Sequence, residues 1–418
     1  MSNILFLSQL LPYPPDAGPK FRSYYVLRQL AQNHRITLLA FSRPDDTLQA
    51  INHLQELCEE VHLINIHRSL FRNIYDLGMS LLTGKSFIIQ RDILPEMELQ
   101  IETLLKTKPF DVIHADQLWM AHYALYGKKI VPSIKLLIDE HNACFQVWQR
   151  LAVREHNPVK RLFLEYEWRK LRHYEANACS DFDQIVTVTK EDKIAIDGLI
   201  NSKLDRGNVK NHPTVDFSTI PICVDTKLVD PVLPIQPATD ILHLGTMYWM
   251  PNIEGVLWFV HQVWPKVVAK LSGAKLVIGG KNPPHAIREL SKSNNRESFI
   301  KVIGYIPDPT PYLQSAGVFI VPLLSGGGMR VKIIDAWRWG LPIVSTSIGA
   351  EGILHKPGEN ILIADDEDEF ANAVIRVLQE PELAMKLRKN GRQWVEEKYD
   401  YRLIYPKWEE IYSSFSKN

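Results

Sequence analysis

Short apolar runs separated by longer amphipathic stretches organise the first half of the chain. Residues 4–7, 36–41, 61–66, 112–114, 135–138 and 185–188 are brief, rich in Ile, Val and Leu, and lack strict two-residue alternation. Strands covered by helices on both faces look like this, because neither face meets water. Helical patterns lie between them, at residues 20–32 and 162–177 for example. A β-α rhythm of this length predicts a doubly wound α/β domain.

The rhythm then restarts. Residues 241–244, 275–278, 301–303, 318–321 and 343–345 are again buried-strand patterns, a last one spans 360–363, and helical stretches at 256–271 and 331–339 separate them. Residues 231–239, Pro-Val-Leu-Pro-Ile-Gln-Pro-Ala-Thr, hold three prolines and no helical period, which marks a linker. The expected division is an N-terminal domain over residues 1–230, a C-terminal domain over 240–395, and a tail over 396–418. The amphipathic helix of that tail, residues 401–415, is expected to pack back on the N-terminal domain. Two such domains in tandem leave a cleft at the carboxyl ends of their sheets, where open α/β folds bind ligands.

Composition narrows the partners. Lys plus Arg equal Asp plus Glu at 48 each among 418 residues, so no electrostatic signal for nucleic acid exists. The four cysteines stand far apart without a C-x-x-C pair, which suits a reducing compartment better than a disulfide framework or zinc site. The first residues, Met-Ser-Asn-Ile-Leu-Phe-Leu-Ser, lack the basic start and cleavage site of a signal peptide. No apolar run approaches the roughly 18 residues of a membrane span. A cytoplasmic protein, free or at the inner face of the membrane, is expected.

The chemistry-bearing residues cluster at the ends of the strand patterns. After the run ending at Val321, the chain reads Pro-Leu-Leu-Ser-Gly-Gly-Gly-Met-Arg-Val-Lys-Ile-Ile-Asp335. Glycines at a helix start let an anion approach free amides closely, and Arg330 and Lys332 add positive charge in the same turn. Gly327, Gly328 and Met329 would line this grip, and Asp335, three residues after Lys332, could accept hydrogen bonds from a ribose diol. No G-K-[ST] follows the glycines, and a dinucleotide fingerprint would put its third glycine on Val331, so neither motif applies. In the first domain, Gly18 sits in a proline-rich turn with Arg22 just beyond it. Two strand patterns end in polar runs, Asp111-Val-Ile-His-Ala-Asp116 and Leu137-Ile-Asp-Glu-His-Asn142. Four consecutive polar side chains at a strand end are expected to face water or a ligand. His141 could bond a sugar hydroxyl, and Asp116 and Asn142 could contact acceptor or sugar. Adjacent Asp139, Glu140 and His141 split between the two faces of a strand, so no metal site is expected. Residues 68–84 are amphipathic, basic and aromatic, and read either as an ordinary surface helix or as a contact for a membrane or a lipid-linked acceptor.

Taken together, these motifs resemble the retaining glycosyltransferases of family 4, over nearly the whole chain. The resemblance rests on the Pro-Pro-Asp-Ala-Gly18 loop, the strand end at residues 111–114, Glu140-His-Asn142, Pro221-Ile-Cys-Val-Asp225 and the glycine-rich helix running to Gly340-Leu-Pro342. Residues 244–252, with Gly255-Val-Leu-Trp-Phe259, are similar to a bacterial subgroup associated with exopolysaccharide synthesis. The resemblance implies a GT-B fold, two Rossmann-like domains facing across a cleft, and metal-independent transfer of a sugar from a nucleotide sugar, with a UDP-sugar the first expectation. A saccharide or lipid-linked molecule would be the acceptor, and no further cofactor is implied. Gly18 would lie near the donor phosphate, His141 at the transferring sugar, Tyr305 and Ile306 beside the base, Arg330 and Lys332 on the diphosphate, and Asp335 on the ribose.

Two positions depart from the family pattern. Its usual pair of glutamates eight positions apart falls here on Gly327 and Asp335. Its basic pair after the first strand of the second domain is replaced by Gly245-Thr-Met-Tyr-Trp-Met-Pro251, without Lys or Arg. A nucleotide-sugar epimerase of similar architecture would convert donor without acceptor, and a non-catalytic nucleotide- or glycan-binding module would bind without turnover.

Overall fold

The structure, a computed structural model, describes the chain except residues 67–68, 156, 208–214, 233–238, 248, 294–297 and 416–418. It divides into two compact units, one of Met1–Ile222 with Ile404–Asn418, the other of Cys223–Leu403.

The first unit is built on seven parallel strands: β1 (Asn3–Ser8), β2 (Arg35–Ser42), β3 (Glu60–Asn65), β4 (Val112–Asp116), β5 (Lys135–Glu140), β6 (Gln184–Thr187) and β7 (Asp216–Thr219), in the order β3-β2-β1-β4-β5-β6-β7. The central strands β1, β4 and β5 are buried almost throughout, as their unbroken apolar runs predict. Register aligns the side chains at their carboxyl ends. Ser8 pairs with Asp116, and Asp116 with Asp139, which sets three polar side chains in one row on one face of the sheet. The topological switch point of this sheet, between β1 and β4, lies at the same row.

The second unit holds β8 (Asp240–Leu244), β9 (Ala274–Gly279), β10 (Ser298–Ile303), β11 (Ala316–Val321), β12 (Ile343–Ser345) and β13 (Leu362–Ile363), all parallel, in the order β10-β9-β8-β11-β12-β13. Its switch point falls between β8 and β11.

Four expectations change. β7 has one apolar residue, Phe217, and no pattern to announce it. The helix expected over 256–271 begins at Met250, widens to a π turn at Phe259–Val263 and resumes as Trp264–Lys270. Pro265 has no N–H and its ring crowds the preceding turn, which the wider turn accommodates. The last helix is broken by Pro406 into Tyr401–Ile404 and Lys407–Phe415. Finally, the second unit starts at Cys223, ahead of the expected linker, whose residues 233–238 lie outside the described ones. The amide of Val224 donates to the Tyr399 carbonyl at 2.9 Å, and Asp225 pairs with Arg402, so this stretch is tied to the end of that unit. From Ile404 onward the chain belongs to the first unit, where Tyr405, Trp408 and Tyr412 are fully buried.

Candidate functional site

In the second unit, the strand β11 ends at Val321 and the helix Val331–Arg338 starts ten residues later, leaving a turn at the switch point. Gly326 has φ 127° and Gly328 φ 70°, backbone states that side chains rarely adopt. Arg330 folds back over this turn. Its Nη1 donates to the carbonyls of Gly327 and Gly328, the latter at 3.0 Å, and its Nη2 lies 3.8 Å from the Glu351 carboxylate. A Cβ on Gly326 would lie 2.8 Å from Arg330 Nη2, so the glycine makes room for the guanidinium. Arg330 therefore shapes the turn as well as charging it.

Lys332 reaches across the switch point. Its Nζ donates to Asn252 Oδ1 at 2.7 Å, while Asn252 Nδ2 donates to the Thr246 carbonyl at 2.8 Å. A Cβ on Gly245, the first residue after β8, would lie 2.7 Å from that Nζ. Burial, and then the Arg330 charge, push the Lys332 ammonium down to about 7. His243 is buried on β8, bonded through Nδ1 to the Ile320 carbonyl at 3.0 Å, and burial followed by the Lys332 charge pushes it down to about 3. The lysine thus stands near a histidine that stays neutral.

The neighbouring loops close on the same point through glycines. A Cβ on Gly280 would strike the Gly245 carbonyl at 1.7 Å, and one on Gly279 would meet Ile306 Cδ1 at 2.5 Å. Ile306 is thereby set against the end of β9, and the exposed Tyr305 ring carries the Lys281 ammonium 5.1 Å from its centroid. Helix Met250–Trp258 packs directly on the exit of β11, since a Cβ on Gly255 would lie 2.3 Å from the Pro322 carbonyl. From it, Glu254 accepts a hydrogen bond from Ser325 Oγ at 3.0 Å. Asn252 and Glu254 escaped the sequence reading, although both lie within or beside the stretch similar to the exopolysaccharide subgroup. Gly327, Gly328, Met329, Arg330 and Lys332 share this turn, and Met329 is buried in it. Asp335 lies one turn further along the helix and is held by Arg338 at 2.7 Å.

In the first unit, the polar strand ends are internal. Asp116, Asp139 and Glu140 are fully buried and His141 nearly so, so of the expected alternatives, water or a ligand, they do not face water. Asp139 takes a bidentate pair from Arg22, Nε to Oδ2 at 2.8 Å and Nη2 to Oδ1 at 2.9 Å. Arg22 also donates to the Pro221 carbonyl at 2.9 Å and lies 4.9 Å from the centroid of the Trp408 ring. Burial works against the Arg22 charge, yet Asp139 and Tyr405 outweigh it and raise its pKa. Asp116 receives the hydroxyls of Ser8 at 2.8 Å and Ser23 at 2.7 Å, and the Nε2–H of His141 at 2.9 Å. Burial opposes its ionisation, but the charge of His141 and these hydrogen bonds hold it below the usual carboxylate range. Both Asp116 oxygens are engaged, Oδ2 by the two serines and Oδ1 by His141. The other ring nitrogen of His141, Nδ1, is buried with no hydrogen-bond partner among the described residues. Gln117, immediately after β4, has φ 76° and a buried amide nitrogen in the same condition, a strained backbone that the sequence did not announce. Gly18 opens the helix Gly18–Leu30, which has no side-chain cap and no acid in its first turn. Asn142 is half-buried and accepts from Cys144 Sγ at 3.4 Å.

Asp116, Asp139 and His141 offer three ligand atoms within 4.8 Å of one another, while Glu140 stands apart from them. Arg22 already supplies the cation for Asp139. Glu140 points to the opposite face, beside Glu175 and Cys179. Glu175 caps the helix Cys144–Arg154, accepting from the amides of Cys144 and Phe145 at 2.9 Å each. Burial and the charge of Glu175 hold Glu140 well above the carboxylate range, and burial pushes Glu175 up to about 8.

Residues 238–380 match the family described as Glycosyl transferases group 1. Over its length the chain is similar to an uncharacterised 44.6 kDa protein of the cps region of Klebsiella pneumoniae, 23% identical across 97% of this chain and 98% of that one. It is 26% identical to the 2-deoxystreptamine N-acetyl-D-glucosaminyltransferase of Niallia circulans, over 42% of this chain and 47% of that one. Among solved structures, Anabaena HepE in complex with UDP and glucose superposes with a TM-score of 0.65 at 13% identity, covering 99% and 100% of the two chains. The sucrose-phosphate synthase of Thermosynechococcus elongatus does so with a TM-score of 0.67 at 17% identity, covering 100% of both. The fold is GT-B, with a Rossmann-like sheet in each unit.

Proposed function

We propose that this chain is a retaining glycosyltransferase of the family-4 type, moving a sugar from a nucleoside-diphosphate sugar to a saccharide or lipid-linked acceptor in cell-surface polysaccharide synthesis. One observation carries the reading: the Lys332 ammonium, held by Asn252, lies over side-chain-free Gly245 at the switch point between β8 and β11. A cation above bare backbone, beside a glycine turn and a helix start, is a receptor for a diphosphate. HepE, of the same fold, binds UDP and glucose, which favours a UDP-sugar as the donor. The cps-region relative favours a capsular or related glycan as the product.

In this reading, rupture of the bond to the anomeric carbon places negative charge on the leaving diphosphate. Lys332, Arg330 and the amides of Gly327, Gly328 and Met329 meet that charge, and they stabilise it more in the transition state than in the ground state. The charge is met by fixed groups of the chain itself. Gly18 would stand by the donor phosphate. Asp335, oriented by Arg338, would take the ribose hydroxyls, with Tyr305 and Ile306 beside the base. Retention follows if the acceptor hydroxyl attacks on the face the diphosphate leaves, and the departing phosphate oxygen takes its proton. His141 is the group assigned to the sugar, through the edge that Asp116 leaves open. The test is Lys332→Ala, measured by UDP affinity and by kcat/KM with a UDP-sugar: a loss of about 10²–10³-fold is expected, and unchanged values overturn the assignment.

A further inference from the structure

The helix Leu70–Thr83 is turned inside out on the unit that carries it. Its polar Asp76 and Ser80 are buried, Ser80 at 0% exposure, while Phe71, Ile74, Tyr75, Leu81 and Leu82 face solvent, Phe71 at 87% and Leu82 at 83%. Spacings of three and four align positions 71, 74, 75, 78 and 82 on one stripe. Gly78, in the middle, has nothing within 4 Å of where a side chain would begin. A surface helix whose function ends with the fold does the reverse, turning its apolar stripe to the core.

Specific contacts hold this orientation from beneath. Lys170 Nζ donates to the Ser80 carbonyl at 3.0 Å and to its hydroxyl oxygen at 2.8 Å, and Ser80 Oγ donates to the Lys85 carbonyl at 2.7 Å. Glu167 accepts from Ser86 Oγ at 3.0 Å and from the Phe87 amide at 2.9 Å. Arg72 Nη2 donates to the Ile93 carbonyl at 3.2 Å. The helix that supplies Lys170 and Glu167, Pro158–Cys179, extends the apolar surface toward its own start, where Val159, Leu162, Phe163 and Tyr166 are exposed. Phe163 meets Phe87 edge-on, with centroids 6.4 Å apart.

The exposed charges around this face are basic, with Glu155 half-exposed beside Arg154 and Glu165 paired with Arg169. Lys85, Arg154, Lys160, Arg161 and Arg169 are exposed around it. The acids of the two helices are turned inward or paired: Asp76, Glu167 and Glu175 are buried, and Glu165 bonds to Trp168 and Arg169. A second copy on the face would set these cations against one another, since a two-fold contact brings each patch to itself. An anionic bilayer offers both apolar depth and a continuous negative surface. We propose that this face, the outer stripe of Leu70–Thr83 with the start of Pro158–Cys179, docks on an anionic lipid membrane. The face belongs to the first unit and the glycine turn to the second, and the test uses no nucleotide.

The full chain is floated with vesicles of phosphatidylcholine alone and of phosphatidylcholine mixed with phosphatidylglycerol. It should bind the mixed vesicles and release as salt is raised. Phe71→Ser with Leu82→Ser should lower that binding at least about tenfold. Lys160→Glu with Arg161→Glu should remove the preference for anionic vesicles, at about fivefold per charge lost. All four side chains are exposed, so melting temperatures should match the parent; Ile74→Asn serves as a second apolar variant if the double change does not fold. Failure of the parent chain to bind mixed vesicles overturns the proposal, as does binding that survives the apolar changes. So does a dimer in light scattering that these changes convert to a monomer without any vesicle binding, which would assign the face to a second copy.

Discussion

Asn252 and Lys332 are 80 residues apart in sequence and 2.7 Å apart in space, and the amide oxygen of the first fixes the ammonium of the second over the end of β8. Under the proposed function, diphosphate binding needs the charged lysine, whose pKa is lowered to about 7. UDP affinity should therefore fall as pH rises through that value, and binding above it should take up a proton, visible as a buffer-dependent heat in calorimetry. Asn252→Asp places a carboxylate beside the ammonium, raises its pKa and moves the fall to higher pH. Asn252→Ala releases the lysine and should weaken UDP about tenfold, the scale of one lost hydrogen bond to a charged group. An unshifted pH profile in Asn252→Asp would remove Lys332 from the binding event.

Glu140 and Glu175 make a second pH-sensitive feature, in the first unit. Both are raised in the folded chain, Glu175 to about 8, by burial first. The folded state then holds protons that the unfolded chain releases near 4.5, so stability is greatest at acid pH and declines as pH rises through about 8. Glu140→Gln should flatten this decline and stabilise the protein by about 1–2 kcal/mol at pH near 8.5, with little gain near pH 5. Urea midpoints across that range measure it.

Gly255→Ala tests the packing that delivers Asn252. Its new Cβ would lie 2.3 Å from the Pro322 carbonyl, so the helix Met250–Trp258 must shift off the exit of β11. A cost of about 1–3 kcal/mol in stability is expected, together with a raised KM for donor. A raised KM absent from Gly78→Ala, which meets nothing, would tie the effect to the site.

Asp139→Ala leaves the Arg22 guanidinium buried without its carboxylate. The loss should be about 3–5 kcal/mol by chemical denaturation, larger than for Ser8→Ala or Ser23→Ala, whose hydroxyls bond the adjacent Asp116. Asp139→Asn keeps the shape but removes the charge, and should recover only part of it.

The core strands were legible because burial on both faces writes the same unbroken apolar run that a parallel sheet requires. The turn between strand and helix was legible because its glycines and its two cations are local, contained between Ser325 and Lys332. Asn252 and Glu254 were not, since they arrive from a helix 80 and 71 residues upstream of the groups they bond. The strand end at Asp139 was conspicuous in sequence, but nothing between 135 and 142 tells that Arg22, 117 residues away, comes inside to neutralise it. Polar residues at a strand end look exposed until the partner that buries them is known.

The return of Ile404–Phe415 to the first unit bears on how the protein is made. Arg22 and His114 rest against Trp408 and Tyr412, the Tyr412 hydroxyl 2.7 Å from His114 Nδ1. A ribosome releases those aromatic residues only after every strand of the second sheet has emerged. The first unit is therefore completed only after the sheet of the second has been made, and its buried arginine waits uncovered until then. A premature stop at Tyr401 would spare the sheet of the second unit and strip the first of three core aromatics, Tyr405, Trp408 and Tyr412, so that truncated chains should be cleared by proteolysis from the amino-terminal side.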